Sequence, residues 1–210
     1  WNELGKMLNE VWVREDGAEM TLSKMAVDTG YNTQHVYTFC AKHPSSRVLP
    51  VKGNANMVTI LSGASKVHKP KAGSKKTYGG LAFYNVGVSV AKSELYSWLP
   101  LKPKEDGVEP FGFCRFPAYP EEFFKGLTAE RQIEVKDKNN FSKWIWEKTY
   151  ERNEPLDTFV YARAAATAMG MDKWKDENWD TIDNYVTNSA PISTKKVEKK
   201  QKAKRGDSFW

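Results

Sequence analysis

A chain of 210 residues, 40% hydrophobic and 28% charged, can hold one well-packed core and an appendage, and its composition is ordinary for a soluble globular domain. No apolar run approaches the roughly 20 residues of a membrane span, which excludes a spanning helix, and no signal-peptide pattern opens the chain. Of the formal net charge of +6, the stretch 195–210 carries +5, because Lys195, Lys196, Lys199, Lys200, Lys202, Lys204 and Arg205 oppose only Glu198 and Asp207. The remaining body is nearly neutral, so overall charge does not argue for a nucleic-acid partner; a local site has to.

In chain order, Trp1 to Met20 mixes Val11, Trp12 and Val13 with acids and Gly17, and reads as a lead-in with a helical part. Because the first residue is Trp1 and not Met, the chain is expected to be a fragment of a longer polypeptide. Leu22 to Asp28 reads as a strand ending on a carboxylate, with Thr29-Gly30 as the turn. Thr33 to Lys42 has helical spacing and stops at His43-Pro44. A second strand runs from Arg47 to Lys52 into Gly53. Strand, helix, strand is the order of an α/β domain.

The span 64–80, rich in Lys, Gly and Ser, reads as a mobile loop, followed by a strand over Leu81–Val88 and a short helix over Ala91–Leu99. Phe111 to Phe116 alternates as a strand should. A helix opens near Pro120, with Glu121 and Glu122 in a first turn that favours acids. Ser142 to Tyr150 reads as a strand, with Trp144 and Trp146 as packing residues on opposite faces of it. Glu154 to Met169 is the clearest helix, with Leu156, Val160 and Ala164 on one face and Gly170 as its cap. A Trp-containing, acid-rich stretch follows. The predicted organisation is a lead-in over 1–20, an α/β domain over 21–187 and a disordered basic tail over 188–210.

Two features carry chemistry. Asp28 sits at a strand end, while Glu154 and Asp157 lie one turn apart at a helix start. Three such carboxylates can hold Mg²⁺ or Mn²⁺, hard cations that take oxygen ligands. Residue by residue, a plainer reading stays open: Asp28 can cap the Thr29-Gly30 turn, and Glu154-Pro155-Leu156-Asp157 can be an ordinary helix start. Cys40 and Cys114 lack CxxC spacing and read as reduced thiols of a cytosolic protein; His35, His43 and His68 form no zinc pattern. The chain contains no GxxxxGK[ST], and Gly73-Ser74-Lys75-Lys76-Thr77 has the wrong spacing for a phosphate-binding loop.

Four segments resemble, in the same order, the large terminase subunit of lambda-like tailed phages: Ala26–Tyr37 (AVDTGYNTQHVY), Val48–Gly53, Val86–Tyr96 (VGVSVAKSELY) and Arg152–Asp157 (RNEPLD) continued by Val160-Tyr161-Ala162. The resemblance spans roughly residues 21–169 and implies an RNase H-like fold, a mixed central sheet flanked by helices. It also implies a nuclease that cuts concatemeric double-stranded DNA by two-metal phosphodiester hydrolysis, using Mg²⁺ or Mn²⁺ bound by Asp28, Glu154 and Asp157. Where the family pattern has Asp this chain has Ser89, and Ser93 replaces another frequent acid, so a second ion is expected to bind weakly or to draw on Glu94.

Lys52, Lys69, Lys71, Lys75 and Lys76 are candidate DNA contacts, set against a solvated Lys-rich loop. Lys92 is a candidate for steering the scissile phosphate, set against a snorkelling helix lysine. By the same resemblance the expected partners are the procapsid portal protein, which Phe209 and Trp210 would engage, and a small terminase subunit. The place of action would be the host cytoplasm, in a packaging complex. Two other readings remain: a portal-docking assembly module with weak nuclease activity, and a cellular junction- or RNA-cleaving relative of the same fold.

Overall fold

A computed structural model describes residues 1–67 and 80–188. Its contacts divide the chain into two units, one over Lys24–Asp172 and one joining Trp1–Ser23 to the segment from Lys173 onward. The larger unit is a four-stranded mixed sheet with helices packed against it. Its strands are β3 (Met25–Asp28), β4 (Val48–Asn54), β5 (Ser65–Lys66) and β6 (Ala82–Gly87), in the order β3-β4-β6-β5. The first three run parallel, and β5 pairs antiparallel with β6.

Val48, Leu49, Pro50 and Val51 are all buried, as a central strand covered on both faces requires. Pro50 is tolerated there because β3 pairs with Val48–Val51 and β6 joins only from Val51 onward, so the sheet is two strands wide at that point. Helix α2 (Thr33–Cys40) follows β3, and α3 (Val88–Trp98) starts directly on the end of β6. Gly87 marks that junction: a Cβ there would lie 2.1 Å from the carbonyl oxygen of Thr59. The core joins Leu49, Val51 and Val86 of the sheet to Ala91 of α3 and to Val160 and Ala164 of α5 (Glu154–Ala168). Leu95, Leu127 and Leu156 form a second apolar cluster, which brings in α4 (Glu121–Leu127). No helix among the described residues is long and apolar enough to cross a membrane.

Several expectations change. Phe111–Phe116 is not a strand; Gly112 has φ +84° and packs on the indole of Trp98, so the apolar alternation serves a turn against that ring. Ser65 and Lys66 leave the expected 64–80 loop to pair with β6, while residues 68–79 lie outside the described residues. A strand that the sequence reading lacked, β7 (Glu130–Lys136), pairs antiparallel with β8 (Ser142–Lys148). In β8 Trp144 and Trp146 are two residues apart and so share a face, not opposite ones. Gly170 has φ +82° just past α5, as a helix-ending glycine should.

In the smaller unit α1 (Asn2–Met7) supplies the expected helical lead-in, but a hairpin of β1 (Val11–Val13) and β2 (Glu19–Thr21) and a helix α6 (Asp176–Asn188) were not expected. Arg14 ties the hairpin to α6 by bonding Asp16, Asp183 and Thr187. The tail beyond residue 188 lies outside the described residues.

Candidate active site

Parallel strands leave their carboxyl ends, and whatever polar groups follow them, along one edge of a sheet. Asp28 is the last residue of β3. Its Oδ1 accepts from the Gly30 amide at 3.0 Å, and a Cβ on Gly30 would stand 3.0 Å from Oδ2, so the glycine leaves room for the carboxylate to fold over the turn. The turn-capping reading of Asp28 therefore holds, and the carboxylate so placed is within electrostatic reach of the Tyr161 hydroxyl on α5.

Asp157 stands one turn before Tyr161 on α5. Burial pushes its carboxyl above the ordinary value; Lys92 and Lys148 pull it down, and the carboxylates of Glu130 and Asp28 push it up again. Burial, and then the charges of Asp28 and Asp157, likewise push the Tyr161 hydroxyl above its ordinary value. Asp28 and Asp157, distant in sequence, are thus within electrostatic reach of each other beside one half-buried phenol. Two carboxylates within reach of each other form a site that favours a cation.

Beside them lies a polar network. Glu130, the first residue of β7, is 8% exposed, and its Oε2 is 2.6 Å from Nζ of Lys92, itself 8% exposed. The ammonium of Lys92 also lies 5.9 Å from the ring centre of Trp146. Lys92 is accordingly a buried ion-paired residue, neither snorkelling nor presented on the surface. Asn153 donates through Nδ2 to Glu130 at 3.1 Å and to Asp157 at 3.2 Å.

Glu154 has a different neighbourhood. Its side chain is 66% exposed, 3.7 Å from Arg152. It edges a cavity of about 590 Å³ lined by aromatic side chains of α4, α5 and the segment before α4, among them Phe116, Phe123 and Phe159. Ser89 donates to the carbonyl of Ala55 at 3.1 Å. Glu94, the expected substitute ligand, is taken by Arg163, with contacts of 2.6 and 3.1 Å. Lys52 is exposed on β4. Lys69, Lys71, Lys75, Lys76, Phe209 and Trp210 lie outside the described residues. Both cysteines are free; Cys40 is buried, which pushes its thiol up to about 12, and Cys114 is half-buried.

Sequence reasoning missed Glu130 because it missed β7. The signal was present: Ile133 and Val135 alternate with the polar Gln132, Glu134 and Lys136, shortly before the strand expected over 142–150.

The family described as "Terminase large subunit gpA, endonuclease domain" matches residues 1–179. The chain is 34% identical over 175 residues to the "Terminase, large subunit" of Escherichia phage lambda, and 31% identical over 173 residues to that of Enterobacteria phage P21. Each alignment covers 80% of this chain and 25% of the relative, so the chain spans about a quarter of the length of the curated relatives it matches. No solved structure matches significantly. With the family matching most of the chain and two relatives each aligned with 80% of it, the chain belongs to the endonuclease-domain family of the terminase large subunit.

Proposed function

We propose that this chain is the metal-dependent DNA-cutting domain of a viral genome-packaging motor, an RNase H-like endonuclease that hydrolyses phosphodiesters of concatemeric double-stranded DNA in the host cytoplasm. The observation that carries this reading is the convergence of Asp28 and Asp157, from β3 and α5, beside the half-buried hydroxyl of Tyr161.

The donor set fits one Mg²⁺ or Mn²⁺. Mg²⁺ keeps several waters and is usually held by one or two carboxylates together with substrate phosphates, and Asp28 and Asp157 supply two. Among the described residues no three His, Cys, Asp or Glu side chains are grouped to hold an ion. A second ion would need Glu154, which stands beside Arg152 instead. When bound, such an ion polarises a phosphoryl oxygen and activates water at neutral pH. The chain's own residues do the rest. The half-buried hydroxyl of Tyr161 lies within electrostatic reach of both carboxylates. Exposed Lys148 lies close enough to Asp157 to lower its proton affinity, and there it offers a positive charge to an approaching phosphate. Lys52 on β4 and the lysines of 69–76 would extend that charge along the DNA backbone.

The test is nicking and linearisation of supercoiled plasmid in EDTA, Mg²⁺ and Mn²⁺, with wild type beside Asp28→Asn. Metal-dependent cutting by wild type, lost in a folded Asp28→Asn protein, is the expected result; cutting that survives the substitution sinks the assignment.

A second reading rests on the concentration of +5 of the +6 charge in residues 195–210, ending Phe209-Trp210. There the tail docks the motor on the portal protein, near a small terminase subunit. Deleting 195–210 separates the two: portal binding would be lost and cutting retained.

A further inference from the structure

We propose that Glu130 is a positioning residue for the carboxylate pair, orienting Asp157 through the side-chain amide of Asn153 while Lys92 balances its buried charge. This rests on the reading of Asp28 and Asp157 as the metal-holding pair.

Glu130 is clamped from both ends. Its amide donates to the Tyr96 hydroxyl at 3.3 Å, and that hydroxyl donates back to the Glu130 carbonyl. Its carboxylate is spent as well: Oε2 on Lys92 at 2.6 Å and Oε1 on Asn153 at 3.1 Å. A buried carboxylate whose two oxygens are both engaged is a poor candidate for a direct ligand and a good one for a fixed reference point.

Asn153 transmits that position. It occupies the residue just before α5, where an asparagine side chain ordinarily accepts a hydrogen bond from the first-turn amides. Here it makes no such cap. Its Nδ2 donates to Glu130 Oε1 and to Asp157 Oδ2, at 3.1 and 3.2 Å. Ionised carboxylates only accept hydrogen bonds, so both contacts require the amide nitrogen and neither can be made by the amide oxygen. The pair of acceptors fixes which way the Asn153 amide points, and the amide in turn holds one oxygen of Asp157. Lys92 completes the arrangement, because without it a third uncompensated carboxylate would stand beside Asp28 and Asp157. Forgoing a favourable local choice, the helix cap, in order to tether a carboxylate is the kind of local exception that accompanies function.

The experiment measures Mn²⁺ affinity of the 210-residue chain by calorimetry, with thermal unfolding of the same samples. It compares wild type, Asp157→Asn, Asn153→Ala, Glu130→Gln and the double variant Glu130→Gln/Asn153→Ala. Glu130→Gln keeps the shape, but its amide must set a donor against either Lys92 or Asn153. Asn153→Ala leaves the Lys92–Glu130 pair whole and serves if Glu130→Gln unfolds. Loss of an outer partner typically weakens metal binding about 10- to 100-fold, and that is the change expected for Asn153→Ala at an unchanged unfolding temperature. In the plasmid assay, excess Mn²⁺ should restore the maximal rate of Asn153→Ala and not that of Asp157→Asn. The double variant should bind no more weakly than Asn153→Ala alone, since Glu130 acts through Asn153. Wild-type affinity in Asn153→Ala, or additive losses in the double variant, overturns the positioning role while leaving the metal site standing. Equal affinity of wild type and Asp157→Asn overturns the metal site itself, and the positioning role with it.

Discussion

The first turn of α5 looks two ways. On one side Asn153, Asp157 and Tyr161 face Asp28, Glu130 and Lys92 in a polar, charge-dense patch at the sheet edge. On the other, Glu154, Pro155, Thr158 and Phe159 line the aromatic cavity with Phe116 and Phe123. Glu154 and Asp157 are three residues apart, which at 3.6 residues per turn leaves them about 60° apart around the axis. That offset is harmless on an exposed helix. Here the boundary between two environments falls inside it, so two exposed acids of one motif meet different neighbours: Asp157 the charges of Lys92, Glu130 and Lys148, Glu154 the guanidinium of Arg152. Helical spacing shows which residues can share a face; packing decides where the face is divided.

The largest contrast that would break this comparison is catalytic. Asp157→Asn should cut plasmid about 10³-fold more slowly or worse, since a metal contributes several kcal/mol of transition-state stabilisation and each 1.36 kcal/mol is a factor of ten. Glu154→Gln should stay within a few-fold of wild type, a range of about 1 kcal/mol or less. A Glu154→Gln loss as deep as that of Asp157→Asn would mean that both faces of the turn serve one site and would restore the three-carboxylate arrangement.

A smaller effect separates structure from chemistry. Leu156 is fully buried between the two faces, and Leu156→Ala should cost about 2–5 kcal/mol in denaturant unfolding, as cavity-forming changes do. Metal affinity of the folded fraction should remain, which divides the scaffold's contribution from that of the carboxylates.

The smallest effect is a gain. Because the proton affinity of Asp157 is raised in the folded chain, ionisation there opposes folding. The linked stability is fully present below the ordinary carboxylate value near 3.8 and is lost as pH rises through the higher folded value. Without metal, Asp157→Asn should therefore unfold at a slightly higher temperature than wild type at pH 7, with the gap closing in acid. A lower unfolding temperature at pH 7 would show that Asp157 is a stabilising acid, not one kept for a ligand.

Much of this was legible from the residues in order. The α/β alternation, the strand ending at Asp28 and the helix from Glu154 stopped by Gly170 all depend on patterns a few residues long, and β3, β6 and α5 fall within a few residues of expectation. The hairpin β7–β8 was half legible, since Ser142–Lys148 alternates clearly, whereas Glu130–Lys136 carries enough charge to pass for surface. Helix α6 was missed although Trp179, Ile182 and Val186 recur at helical spacing, because the acids between them make the stretch read as surface and none of its residues is buried.

By itself the sequence determined the local pieces and, through four ordered motifs, the family, because each is written in contiguous residues. Tertiary structure alone decided that Asp28 comes within electrostatic reach of Asp157, that Glu130 pairs with Lys92 across 38 positions, and that Glu154 is exposed beside Arg152. Those outcomes depend on the register of β7 and on how α5 is rotated against the sheet. Both are set by packing among residues far apart in the chain, where no local spacing records them.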